Sequence, residues 1–212
     1  VLIPSNYESG RIFISKGLLK KARKIAEKNI ELLKDFINEE TPLLGLEPSA
    51  ILSFKDEYVN LVRGKFKIIA KKIAQNTFMI DEFIANEYEK GYIKRNLFTS
   101  NKAYIRLHGH CHQKALISTK PTIKMLEIPI NYKVNEIKSG CCGMAGVFGY
   151  EKKHYELSMK IGELILFPEI NKESKETIIA APGTSCRQQI LAGTGRKAYH
   201  PIEILYDALI KN

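Results

Sequence analysis

Long apolar runs are absent from the 212 residues; none approaches the roughly 20 residues a membrane-spanning helix needs. The opening VLIPSNYESG has neither a basic stretch nor an extended apolar one, so it does not read as a secretory leader. The chain therefore reads as soluble, and its start at Val1 in place of Met points to a piece of something longer. Eight Pro and 14 Gly are ordinary usage, which excludes collagen-like and low-complexity architectures. Tryptophan is missing, and four cysteines are too few for a disulfide scaffold. What is present, 44% hydrophobic and 26% charged residues, suffices for one domain or two small ones with a sizeable core.

The formal net charge of +10 raises the question of a nucleic-acid partner. The excess is spread along the chain and there is no basic tail. The densest stretch, KGLLKKARKIAEKN (16–29), interleaves its basic residues with Leu18, Leu19, Ala22, Ile25 and Ala26 at helical spacing. That pattern is a solvated helix face, and no nucleic acid is expected as a partner.

All four cysteines lie between 111 and 186, two of them adjacent, beside Gly, His, Ser and Arg instead of apolar neighbours. Such clustering points to thiols kept for chemistry in a reducing, cytoplasmic setting.

Helical and strand-like segments alternate, which predicts an α/β fold with parallel strands. Helices are expected over 17–38, 49–62, 65–75 and 81–89, and a short strand at 43–47. The polar stretch GYIKRNLFTSNK (91–102) separates two units, 1–92 and 93–212. In the second, strands are expected at 103–108, 131–137 and 177–181. Helices are expected around 113–127 with a break near Pro121, over 151–167, after PGTSCRQQI, and over HPIEILYDALI. Each cysteine then falls in a turn after an apolar strand, where ligand crevices form in open parallel sheets.

Cys141 and Cys142 stand in G-C-C-G. Gly140 and Gly143 permit a backbone that turns successive N–H groups towards one point, a nest suited to negative sulfur. With Cys111 upstream and Cys186 downstream, four thiols from three strand ends could converge on zinc or an iron–sulfur cluster. Adjacent cysteines serve a single zinc poorly, whereas a cluster offers several irons to diverging side chains, so iron–sulfur is the preferred reading. The bland alternative is a buried pair of small residues, for which so glycine-rich a loop is poor material.

HGHCHQK places His108, His110 and His112 around Cys111. On an extended segment the three histidines share one face with Cys111 on the other. An imidazole here could ligate metal, donate to a cluster sulfur or relay protons, or could activate Cys111 as a nucleophile. Arg187, beside Cys186 at an expected helix start, would stabilise thiolate. His154 reads as solvated and His200 as a cap before Pro201. Gly193 and Gly195 follow a helix and read as a tight turn.

The order HGHCHQKA, SGCCGMAGVFGYEKKHYELSMKIGELILFP, APGTSCRQQI and HPIEIL resembles the cysteine-rich CCG domain of FAD-linked oxidases and related iron–sulfur subunits. That family includes the D-lactate, glycolate and 2-hydroxyglutarate dehydrogenase group and heterodisulfide reductase. The likeness spans about residues 103–210. Residues 8–62 are similar to the latter part of a preceding copy, through ESGRIFISKGLLKKA and LEPSAILSFKDEY. The resemblance implies two Rossmann-like CCG modules in tandem, the first incomplete and degenerate, because Ser9 and Ala50 stand where cysteines would. It implies metal ligation by Cys111, Cys141, Cys142 and Cys186. Gly183 stands where many relatives carry a fifth cysteine, so a [4Fe–4S] centre, a smaller cluster and zinc all remain open. It further implies an electron-transfer region of a 2-hydroxy acid dehydrogenase, with no catalytic residue assigned in this chain. The chain has no FAD fingerprint, so FAD is expected on a partner domain or subunit that sends electrons through the cluster to an acceptor, with peripheral membrane association through that partner. Arg106, Arg187 and Lys138 are expected to offset cluster charge. The remaining alternatives are a zinc-stabilised interaction module and a thiol enzyme using Cys111.

Overall fold

Short apolar strands and amphipathic helices alternate through the structure, a computed structural model that describes residues 1–3 and 8–211. Part of the opening segment, residues 4–7, lies outside the described residues. The chain divides into two units, one of Val1–Gly45 with Ser49–Phe78, the other of Leu46–Pro48 with Met79–Asn212.

The first unit is built from α1 (Arg11–Ser15), α2 (Leu19–Leu33), β1 (Leu43–Gly45), α3 (Pro48–Lys55), α4 (Glu57–Leu61), α5 (Lys65–Gln75) and β2 (Thr77–Met79), with β1 beside β2. The helix expected over 17–38 is shorter, because Gly17 takes φ of 71° before it and the α-helix ends at Leu33. The helix expected over 49–62 is two, divided at Asp56. Ala26, Ile30, Leu33, Ile37, Tyr58, Val62, Ala70 and Ile73 form the core. The buried Tyr58 hydroxyl accepts from Asn29 Nδ2 at 2.7 Å and donates to the Ser9 carbonyl at 2.9 Å. Burial pushes its pKa up to about 12, so it stays a neutral donor.

The second unit runs α6 (Ile80–Glu89), β3 (Ala103–Leu107), α7 (Cys111–Leu116), α8 (Lys120–Leu126), β4 (Tyr132–Glu136), α9 (Tyr155–Leu164), α10 (Leu166–Asn171), β5 (Ile178–Ala180), α11 (Thr184–Thr194), β6 (Ala198–Tyr199) and α12 (Pro201–Asp207). Its four-stranded sheet has the order β4-β3-β5-β6, with each pair parallel. The α/β class with parallel strands is as the sequence predicts. The helix expected over 151–167 is divided at Ile165. There Phe167 turns its ring against Gly162 and Gly193, where a Cβ would come within 2.3 Å of ring atoms.

Side chains alternate across β3 and β5, so the sheet is covered on both faces. Ile105, Leu107 and Ala180 pack with Met125, Leu126, Ile204 and Leu205 on one face. Ile179 and Ala181 pack with Leu166, Phe167, Ile170 and Ile190 on the other. The chain passes from β3 outward to β4 and then returns to the far side of β3 for β5. The crevice at the carboxyl ends of β3 and β5 is therefore a topological switch point.

His200 caps α12: its Nδ1 accepts from the Ile202 N–H at 3.2 Å, and Nε2 donates to the Leu46 carbonyl at 3.0 Å. Accepting at Nδ1 requires the neutral ring, and burial lowers its pKa below the usual 6.5 although the bond to Leu46 acts the other way. A histidine depressed in the fold contributes stability above pH of about 6.5 that is lost as pH falls towards its folded value. His200→Asn keeps a cap acceptor and forfeits the Leu46 bond, at a cost of about 1 kcal/mol near pH 7.5. In denaturant titrations its stability curve should approach that of the parent as pH falls below about 6.5; a pH-independent gap would contradict this role.

Candidate functional site

Three chain segments leave the carboxyl ends of β4, β3 and β5, and the four cysteines lie on them. Leu107 is in register with both Glu136 and Ala180, so all three segments start from one level of the sheet. Cys141 and Cys142 sit in the loop after β4. Cys111 and Cys186 lie in the first turns of α7 and α11, where the sequence predicts turns outside the helices. The helices begin early because His110 and Gly183 already serve as their N-caps. No cysteine is bridged: Cys142 and Cys186 are buried, Cys141 is partly so and Cys111 is exposed.

The thiols interact in series, Cys111 with Cys141, Cys141 with Cys142 and Cys142 with Cys186, and these neighbours hold Cys141 and Cys186 well below the ordinary thiol pKa. Cys111 and Cys142 are pushed up. Cys141 gains further from the Gly143 N–H, 3.3 Å from its sulfur, and from the Ala145 N–H. These N–H groups converge because Gly143 and Ala145 take positive φ, 105° and 38°. Gly140, by contrast, is exposed in open space, and its carbonyl accepts from Lys114.

The three histidines of the motif do not share a face. His108, 1% exposed, ends β3 with its N–H on the Ala180 carbonyl, and its Nδ1 lies 2.8 Å from Ser139 Oγ. A ring nitrogen of His108 and the sulfurs of Cys142 and Cys186 lie within 4.8 Å of one another. His110 accepts the His112 N–H at Nδ1 as the α7 cap, and its ring fills the space beside Gly183. A Cβ there would meet His110 Cδ2 at 2.6 Å and Cys186 Sγ at 3.2 Å. His112 itself is carried on α7. Arg187 donates to the Ala181 and Pro182 carbonyls at 3.0 and 2.7 Å, fastening the β5–α11 turn. Arg106 pairs with Glu169 and Glu173 at 3.0 and 2.9 Å. His154 stacks on Phe148 with ring centroids 4.1 Å apart.

Several supporting residues are not foreseen from the sequence. Glu47 accepts the Thr184 N–H at 2.8 Å, placing a carboxylate at the start of the helix that carries Cys186. Lys114 donates to the Ser139 carbonyl at 2.6 Å and so fastens α7 to the loop entering G-C-C-G. Gln113 accepts the His110 N–H and donates to Thr122, whose hydroxyl donates to the buried Asp81. Gln189 on α11 donates to both Ser158 oxygens, against which Gly143 is packed. The box of His110 and Gln113, a cap followed by Gln three residues on, is the one signal of this group visible in sequence.

Soft sulfur donors with an imidazole among them, two of the sulfurs in an apolar pocket, fit zinc or an iron–sulfur group and suit no hard cation.

Compared with known proteins, the chain is 27% identical over 213 residues to the D-2-hydroxyglutarate dehydrogenase of Pantoea ananatis and 26% to that of Escherichia coli. In each case 99% of this chain is covered, but 19% of the relative. It is 25% identical over 197 residues to one subunit of the anaerobic glycerol-3-phosphate dehydrogenase of Escherichia coli, covering 92% of this chain and 48% of that subunit. The chain thus spans about a fifth to a half of the curated relatives it matches. No family model and no solved structure matches it.

The loop geometry makes a paired prediction. A Cβ at Gly143 would stand 2.1 Å from the Ser158 carbonyl oxygen, whereas one at Gly140 meets nothing within 4 Å. Gly143→Ala should cost about 1–3 kcal/mol and displace the vicinal cysteines. Gly140→Ala should stay within about 0.5 kcal/mol of the parent. Thermal melts and zinc titrations of the two variants check this, and equal behaviour would contradict it.

Proposed function

We propose that this chain is the electron-transfer part of an oxidoreductase, an iron–sulfur region of an FAD-linked 2-hydroxy acid dehydrogenase. The convergence of four sulfurs from three strand ends at the switch point carries this reading. The dehydrogenase names of the relatives in both size classes support it. When bound, the cluster would supply a store for single electrons arriving from flavin and leaving to an acceptor.

The chain's own residues have defined parts in this reading. Cys111, Cys141, Cys142 and Cys186 hold the group. The Gly143 and Ala145 N–H groups at Cys141 stabilise negative sulfur and so tune how readily charge is added. Ile137, Met144 and Ile190 around Cys142 and Cys186 keep water from the inner side. Cys111, the exposed member, marks the side open to exchange with a partner. The FAD-bearing domain or subunit and the acceptor belong to the rest of the assembly, with membrane association, where it occurs, made through them. Unbridged thiols suit a reducing cytoplasm. Among the described residues, no helix is long and apolar enough to cross a membrane.

A second reading, structural zinc, is favoured by the close spacing of His108, Cys142 and Cys186. The thiol-enzyme reading finds no such support, since the neighbouring Cys141 pushes the Cys111 thiol up, away from thiolate.

Anaerobically reconstituted protein should show broad visible absorbance that dithionite or a reduced flavoprotein bleaches and an oxidant restores. Protein that binds about one zinc per chain and shows no reversible bleaching would overturn the electron-transfer reading in favour of the structural one.

A further inference from the structure

The histidines of the second unit fall into two kinds, and the difference lies in what each Nδ1 does. His110 and His200 accept a backbone N–H at Nδ1, from His112 and Ile202, both at 3.2 Å. A neutral ring used in that way carries its proton on Nε2, which makes Nε2 a donor and unable to bind metal. His200 accordingly donates from Nε2 to the Leu46 carbonyl. The Nε2 of His110 lies beside Cys186, since both are within 3.4 Å of the Cβ position at Gly183. Carrying the proton, it cannot serve as a ligand atom.

His108 has no such duty. Its Nδ1 faces the buried hydroxyl of Ser139 at 2.8 Å, an oxygen able to accept the ring proton. With the proton on Nδ1, Nε2 keeps a lone pair free for metal, and a ring nitrogen of His108 lies within 4.8 Å of the Cys142 and Cys186 sulfurs. The residue is also held from behind: the backbone N–H of His108 binds the Ala180 carbonyl at 2.8 Å, and Ser139 is fixed by Lys114 on its carbonyl. This is the pattern of a metal-bound imidazole, one nitrogen on the metal and the other donating to a fixed oxygen. Zn–S and Zn–N bonds of about 2.3 and 2.0 Å place two ligand atoms on one ion no more than about 4.6 Å apart. The triad, within 4.8 Å and buried at 1%, 4% and 2% exposure, needs only a small inward shift to reach one centre.

We propose that His108 is itself a ligand, binding through Nε2 to the same metal centre as Cys142 and Cys186, with Ser139 orienting its ring. Cys111 and Cys141 complete the site from the more exposed side. The inference rests on the reading of this crevice as a metal centre. It applies whether that centre is a cluster or a single ion.

The test uses the whole 212-residue chain. Cobalt(II) titrated into metal-free protein reports its donors through sulfur-to-cobalt charge-transfer and visible ligand-field bands. Pulsed EPR on the reduced iron-loaded protein detects nitrogen bound directly to the centre. The expected result is a strong nitrogen coupling that disappears in His108→Gln, together with cobalt affinity at least about tenfold weaker. Ser139→Ala should weaken cobalt about tenfold while the nitrogen coupling persists. His108→Cys, which guards against a Gln variant that fails to fold, should bind cobalt with stronger charge-transfer bands and no nitrogen coupling. An iron-loaded protein with no strong nitrogen coupling, or a cobalt spectrum and affinity unchanged in His108→Gln, would overturn the assignment and leave the cluster reading intact. A protein that takes up no iron or sulfide but binds cobalt in a His108-dependent manner would overturn the cluster reading and uphold the ligand.

Discussion

Parallel strands that lie side by side in register end at a common edge, and whatever follows each strand is delivered to the same place. In the second unit Leu107 is level with Glu136 on one side and Ala180 on the other, so the chain leaves β4, β3 and β5 together. Every side chain able to reach the candidate centre depends on that alignment. Cys111 arrives a few residues after β3, the vicinal pair after β4 and Cys186 after β5. A slip of one residue in any strand would turn its apolar set to the wrong face and carry the cysteine away with it. The two apolar layers over the sheet therefore do more than stabilise: Leu107, Ile179 and Ala180 hold the register on which the sulfurs rely.

The same alignment creates an electrostatic problem. Cys142 and Cys186 belong to an apolar cluster with Ile137, Met144 and Ile190, where an isolated thiolate is costly. Neighbouring thiols lessen that cost along the series Cys111, Cys141, Cys142 and Cys186. The loop and helix N–H groups supply the rest. A bound cation would replace the thiol protons and let all four sulfurs carry charge. Glu47 at the head of α11 works against negative sulfur nearby, and its bond to the Thr184 N–H serves to fix the helix end.

The sequence made the sheet legible where apolar runs were bounded by polar or glycine-rich turns, as for β3, β4 and β5. It made the cysteine set legible because G-C-C-G and HGHCHQK are too rich in special residues to be core. The short β2 and β6 and the five-residue α1 were not legible, since such lengths leave no periodicity to read. At the division at Ile165, Phe167 packs against Gly162 nearby and against Gly193, 26 residues on, a contact that helical periodicity does not reveal. Distance along the chain also hid Glu47, whose LEPSA context belongs by sequence to the other unit. The separate duties of His108 and His110 depend on which atom each Nδ1 faces, and composition holds no trace of that. Arg187 sits where expected, yet its guanidinium binds carbonyls of the preceding turn.

The central claim is that these sulfurs share one inorganic centre. Counting iron and acid-labile sulfide per chain in anaerobically prepared protein, beside its four Cys→Ser variants, tests that most directly. The account predicts iron and sulfide in comparable amounts in the parent and a marked loss of both in each variant. A parent free of iron and sulfide under reconstituting conditions, or variants at 111 and 186 that retain the full complement, would contradict it.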